Sequence, residues 1–436
     1  MYKRLFILFS SFLSLSLIIS AAPIAASASG ALRLKYDLAY EFSEGYAGVA
    51  AEGRMGFVDK SGDEVIPLKY DQVWNFVNGL AAVSNDGKEG FVDKNGAEVV
   101  PPTYDIVYYF SEGAAAVVLD GKYGYVDESG AEFVKPKYDA ASPFTEGVAV
   151  VEAGGKMGFV DLSGAEIVPL KYDTVWNFNG GYAPIMLNDK VGFIDKSGKE
   201  VVPPIIYDDA LDFADGLAPV RFGKKWGYID TAGDEVVPLR YDDACRFADG
   251  MAAVMRGGFW GFIDINGKEI VPFKYDEVSK FEDDLALVSS AGKYGCIDLS
   301  GDVKIPIIYD YISDFIEGLA IVSKNGKFGY IDESGKPITA VKYTDASFFS
   351  EGLASVMLAG KWGCVDATGE VSAPFKYDYI GSFSGGRAIA GNNHKYGVVD
   401  GKGSEVTPLI YDGVKFISEG MVAVGLDGKW GYVSLE

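Results

Sequence analysis

A glycine followed by an aromatic, an aliphatic and Asp recurs through this chain at an almost constant interval. The anchoring glycines are Gly56, Gly90, Gly124, Gly158, Gly192, Gly227, Gly261, Gly295, Gly329, Gly363, Gly397 and Gly431. Successive anchors are 34 residues apart, except for Gly192 to Gly227, which is 35. A period of that length means one supersecondary unit repeated, and no single unit buries its apolar face without a neighbour. In the unit starting at Gly227 the pattern reads Gly227-Tyr228-Ile229-Asp230, Gly233, Glu235-Val236-Val237-Pro238, Tyr241-Asp242, Phe247, Gly250, Ala252 and Val254. The apolar runs are short, β-branched or aromatic, and bounded by glycine turns, which is strand grammar. Three or four short antiparallel strands per unit and almost no helix are therefore expected. Asp59-Lys60-Ser61-Gly62 and its equivalents suit a type I turn closed by a left-handed glycine. Gly121-Lys122-Tyr123-Gly124 supplies a second tight turn. Glycine, at 55 of 436 residues, is thus repeat punctuation.

Three units carry Lys-Trp-Gly at the anchor: Lys225-Trp226-Gly227, Lys361-Trp362-Gly363 and Lys429-Trp430-Gly431. Set in this period, from Tyr36 to Val433, the chain resembles the bacterial WG-repeat (KWG-repeat) family. The resemblance implies an exported or surface-associated repeat protein and brings no activity with it. Only Trp226, Trp260, Trp362 and Trp430 provide the eponymous ring, so the unit does not depend on it.

The repeats begin in mid-unit, with Tyr36-Asp37, Phe42, Gly45 and Ala47, and end in mid-unit after Trp430-Gly431-Tyr432-Val433. Each end supplies the half that the other lacks. Complementary ends favour an all-β, twelve-unit, propeller-like closed ring over an open β-solenoid, because closure protects edge strands. One ring of twelve and two of six, divided near the 35-residue spacing, both fit the count.

Residues 1–28 read as a secretory signal peptide: Lys3 and Arg4, an apolar run from Leu5 to Ile19, then Ala26-Ser27-Ala28 before the cut. An uncleaved anchor is the alternative, although the run is short of the ~20 residues needed to span a bilayer. Residues 29–436 would form the repeat domain, with no integral membrane segment after cleavage. The formal charge of -23 becomes -25 once Lys3 and Arg4 are removed. Such a chain lacks the basic footprint that nucleic acid or an anionic membrane requires. Three cysteines are too few for a disulfide framework, and Cys296 and Cys364 stand where other units have Phe or Tyr, so they read as small buried hydrophobes.

The chemical candidates are few. The Asp that follows eleven of the twelve anchors, with Ser434 after the last, invites a calcium reading, yet its glycine comes three residues later, whereas an EF-hand loop wants ligands at positions 1, 3 and 5 and Gly at 6. Turn capping explains it better, with calcium kept as a weaker alternative and no other cofactor implied. The Tyr-Asp pair, Tyr70-Asp71 through Tyr411-Asp412, recurs too often for catalysis and reads as structural. A single histidine, His394, replaces a turn glycine and reads as solvated. No Gly-x-Ser-x-Gly elbow is present. Paired carboxylates for glycoside cleavage are not identifiable from sequence.

One column varies in an ordered way. Four residues after the repeat Tyr come Tyr40, Trp74, Tyr108, Ser142 and Trp176, and later units have Leu211, Cys245, Ser279, Ser313, Ser347, Gly381 and Lys415. The early aromatics either fill a wider part of the core or face solvent. In the second case Tyr40, Trp74, Tyr108 and Trp176 make a row for stacking on sugars or on a partner protein. The reading is an exported, acidic, non-enzymatic β-repeat scaffold that binds protein or cell-envelope glycan. Its rivals are an extracellular propeller-type glycosidase or lyase and a calcium-stabilised surface protein. Repeat-breaking residues, Asp284 for Gly, Ala340 for Pro and His394 for Gly, fall in different columns and mark no single cleft.

Overall fold

A computed structural model describes residues 34–435, so the signal-peptide reading of residues 1–28 lies outside the described residues. Among these residues there are strands and no helix. The first repeat folds as β1 (Leu38–Ser43), β2 (Tyr46–Ala51), β3 (Arg54–Asp59) and β4 (Glu64–Tyr70), antiparallel in that order. The second is β5 (Gln72–Val73), β6 (Leu80–Asn85), β7 (Lys88–Asp93) and β8 (Glu98–Tyr104), and the pattern continues through twelve sheets. We number these sheets 1 to 12 and their strands first to fourth.

The two expected turns form as the residues dictate. Between β2 and β3, Glu52 and Gly53 both take positive φ, 53° and 77°, giving the type I′ geometry whose twist matches the strands. Between β3 and β4 the Asp59 carboxylate accepts the amides of Ser61 and Asp63 at 2.9 and 3.0 Å, and Gly62 closes the turn at φ 82°. The anchor glycine has a different reason. Met55 pairs with Tyr70 and Phe57 with Ile66, so the fourth strand bulges by two residues around its proline. A Cβ on Gly56 would lie 2.4 Å from the Ile66 carbonyl oxygen, a contact no side chain tolerates.

The core lies between sheets. Tyr70 and Ile66 of sheet 1 pack against Phe76, Val83 and Val92 of sheet 2, and equivalent clusters recur at each junction. A twelfth cluster joins Met421 of sheet 12 to Tyr36, Phe42, Val49 and Val58. Twelve sheets with twelve junctions make a closed ring, since an open stack would have eleven. The ends meet as complementary halves: Trp430 and Tyr36 exchange backbone bonds of 2.8 and 3.2 Å, the pairing that Met55 and Tyr70 make within sheet 1. Lys429 pairs with Asp37 at 2.5 Å, and Tyr432 donates its hydroxyl to the Tyr40 carbonyl at 2.7 Å.

There is one ring of twelve and not two of six. At the 35-residue spacing the fourth strand of sheet 5 (Glu200–Tyr207) has eight residues instead of seven. The extra residue joins the bulge and leaves Ile205 71% exposed, while Val202 still packs on Phe213 and Val220 of sheet 6. Sheet 9 lacks a fourth strand. Pro337 stands at its start, has no amide hydrogen to donate, and leaves only the bridges Ile331 to Pro337 and Phe328 to Tyr343.

Candidate ligand-binding cleft

The column four residues after each repeat Tyr lies at the end of the first strand, an edge of its sheet. Trp74 donates its amide to the Ala82 carbonyl at 3.0 Å, and Tyr108 donates to Ala116 at 2.9 Å. With only one neighbouring strand, the side chains there are half open to water. Tyr40, Trp74, Tyr108 and Trp176 are all exposed, Trp74 to 43%, so the row faces solvent and does not fill the core. Tyr40, Trp74 and Tyr108 line one cleft of about 850 Å³ over sheets 1 to 3, together with Tyr109, Asn75 and Glu89. Trp176 is exposed on sheet 5 but does not line it; Ser142 of sheet 4 stands between.

In several sheets the residue of this column is packed beside the one fifteen further on, in the Trp position of Lys-Trp-Gly. Tyr108 and Tyr123 stack at 6.1 Å with hydroxyls 3.4 Å apart, and Lys415 lies 4.3 Å from the Trp430 ring centre. Leu211 with Trp226 and Cys245 with Trp260 share clusters. The two columns compensate. Aromatic Tyr40, Trp74 and Trp176 are matched fifteen residues on by Met55, Glu89 and Val191, whereas Ser279, Ser313, Ser347 and Gly381 are matched by Tyr294, Phe328, Trp362 and Tyr396. Most of these pairs supply one ring, although sheet 3 supplies two in Tyr108 and Tyr123 and sheet 4 none, and the strand that supplies the ring decides its exposure. Trp226 on a third strand is 9% exposed, against 43% for Trp74 on a first strand. This compensation is visible in the sequence once both columns are aligned, and sequence reasoning that followed one column missed it, along with Tyr109 and Glu89.

Charge within the cleft is limited to Asp71 and Glu89. Asp71 accepts Arg54 at 2.5 Å on one carboxylate oxygen and the Asp86 amide at 2.7 Å on the other, so both its oxygens are occupied. Glu89 accepts the Val107 amide of sheet 3 at 2.8 Å. The Tyr108 hydroxyl is pushed up to about 12, first by burial and then by its bond with Tyr123 and the nearby Glu89 charge.

The other candidate residues have structural employment. Asp105 accepts Lys88 at 2.6 Å and the Asp120 amide at 2.7 Å, tying the turn of one sheet to the next, and Lys88 holds its carboxyl below the usual range. The Tyr of the same pair donates to the next sheet's Glu: Tyr70 to Glu98 at 3.1 Å and Tyr172 to Glu200 at 2.7 Å. The Asp after each anchor spends its oxygen on turn amides, as Asp59 does. Among the described residues no group of three or more His, Cys, Asp and Glu is placed to hold a metal ion. His394 is exposed in its turn at φ 60°. Cys296 and Cys364 are buried free thiols, pushed by burial to about 12 and about 11.

A family model described as "WG containing repeat" matches residues 32–53, 55–88, 90–123, 123–156, 157–190, 192–226, 226–258, 260–294, 294–328, 328–362, 362–396 and 396–430. No curated protein matches. Among solved structures the chain is similar to a eukaryotic initiation factor at 12% identity and a TM-score of 0.36, covering 69% of this chain and 94% of that one. It is also similar to the extracellular domain of a putative hybrid two-component system from B. thetaiotaomicron, at 9% identity and a TM-score of 0.24, covering 89% and 67%. PorZ, a surface component of the type-IX secretion system of Porphyromonas gingivalis, matches at 11% identity and 0.22, covering 92% and 72%.

Proposed function

The chain belongs to the WG-repeat family, and from that premise we propose that it is an exported, non-enzymatic scaffold whose sheets 1 to 3 bind a glycan at the cell envelope or outside the cell. The observation that carries this reading is the meeting of Tyr40, Trp74 and Tyr108, from three successive sheets, in one cleft. Their rings are broad and largely apolar, and they sit on a sheet edge, where little order is lost when a ligand arrives. Sugar rings present apolar C–H faces and polar rims, which suits aromatic walls beside Asn75 and Gln72. The recurring carboxylates support neither catalysis nor calcium, because turn amides and lysines already occupy them. Export rests on the signal-peptide grammar of residues 1–28.

The test is the double variant Trp74→Ala with Tyr108→Ala, measured on a glycan array and on isolated cell envelopes. Each ring is expected to contribute about 1 kcal/mol, so the pair lowers affinity by more than tenfold. The melting temperature should barely move, since both side chains are partly exposed. Unchanged binding would overturn the reading, and a protein captured in place of a glycan would replace its ligand class.

A further inference from the structure

We propose that the cleft selects glycans bearing a free amine, of the 2-amino-2-deoxy-sugar class, and that Glu89 is the residue that pairs with the ammonium. This rests on the reading of the cleft as a glycan site and adds the chemistry of the sugar.

Glu89 is the one charged residue in the Lys-Trp-Gly column; the other eleven units have an aromatic, Met or Val there. A half-buried carboxylate there takes the place that an apolar or aromatic group holds in every other unit. It is held by one hydrogen bond from the neighbouring sheet, Val107 N–H to Oε2 at 2.8 Å, which fixes its direction. Among the described residues no lysine or arginine forms an ion pair with it. Lysines of sheets 1 and 2 are engaged elsewhere: Lys88 with Asp105, Lys94 with Glu44 and Lys69 with Glu98. Since Asp71 is occupied by Arg54 and the Asp86 amide, Glu89 is the only cleft charge left for a ligand.

A cation bound there would also meet Trp74 and Tyr108, whose ring faces attract ammonium groups. The fold already makes this contact at the equivalent pair in sheet 12, where the Lys415 ammonium lies 4.3 Å from the Trp430 ring centre. A sugar polymer fits better than a lysine-rich peptide because the aromatic positions recur once per sheet, and packed sheets lie about 10 Å apart. That is close to the length of two linked sugar rings. The overall charge of -23 attracts the same ligand and repels uronic-acid polymers.

The experiment is titration calorimetry of the full repeat ring against four probes: a β-1,4-linked glucosamine hexamer, the N-acetylated hexamer, an oligogalacturonate and hexalysine. The glucosamine hexamer should bind at least tenfold tighter than its acetylated form. That preference should shrink with added salt and vanish as pH rises past the pKa of the sugar amine. Glu89→Gln should bring the two hexamers within threefold of each other, and Glu89→Met, which restores the residue of sheets 1 and 4, should do the same with no loss of melting temperature. Equal binding of both hexamers, or a preference that survives both substitutions, overturns the role of Glu89 while leaving a glycan site in place. Preference for hexalysine overturns the sugar class. If no sugar binds at all, the reading of the cleft itself fails.

Discussion

In sheets 1, 2 and 5 the aromatic ring of the two columns fifteen residues apart comes from the first strand, as Tyr40, Trp74 and Trp176, and is open to water. In sheets 8 to 11 it comes from the third strand, as Tyr294, Phe328, Trp362 and Tyr396, and is more covered. The same two arcs differ at their junctions. Tyr70, Tyr138 and Tyr172 each donate to a glutamate of the following sheet, and Lys69, Lys137 and Lys171 pair with those same carboxylates. In the later arc Val303, Pro337 and Val371 replace the glutamate. There the Tyr275 and Tyr343 hydroxyls are buried with no hydrogen-bond partner. One backbone rule therefore supports two surface chemistries: an early arc whose junction tyrosines are latched by glutamates, and a later arc that lacks three of those glutamates and relies on other junction bonds, such as Lys361 with Asp378 and the Tyr377 hydroxyl with the Gly403 carbonyl.

The largest expected contrast is between two tryptophans. Trp226→Ala empties a packed site between sheets and should cost about 3–5 kcal/mol in denaturant unfolding, whereas Trp74→Ala should leave the midpoint nearly unchanged. Equal losses would erase the distinction between first-strand and third-strand rings. Next in size are the latches. Glu98→Val imitates sheet 8, leaves the Tyr70 hydroxyl unpaired, and should cost about 1–3 kcal/mol. The reciprocal Val303→Glu meets a waiting Tyr275 hydroxyl and Lys274, whose ammonium lies 5.0 Å from the ring centre, and should gain about 1 kcal/mol. A loss from Val303→Glu would mean that the later junctions have closed over the space. The smallest effect concerns backbone strain. His394 takes φ 60° where most units have glycine, so His394→Gly should raise the urea midpoint by an amount equivalent to about 1 kcal/mol. No change would show that the turn pays nothing for its histidine.

Much of this was legible in the residues. The period, the strands, both turns and the complementary ends follow from local chemistry: glycine where φ is positive, Asp where turn amides need an acceptor, branched residues between them. The recurrence of the Tyr-Asp pair points to a structural role, and only the stacked sheets reveal its partners, a glutamate 28 residues after the Tyr and a lysine 17 before the Asp. The aromatic row was identified, but its exposure was open, because an edge position and a core position share the same alternation along a strand. Trp176 fell out of the cleft because Ser142 interrupts the row on sheet 4.

The sequence by itself determined the unit and how its ends complete each other, since turn chemistry and a 34-residue period act over short range. Only the tertiary structure decided that the twelve units close into one ring and that Gly56 lies beneath a bulge. It alone also brought Glu89 and three exposed rings to one cleft. Those outcomes depend on how much space remains between sheets once they stack. Residues fifteen apart divide the rings of each sheet between a first and a third strand, and the strand that carries a ring fixes what the surface can bind.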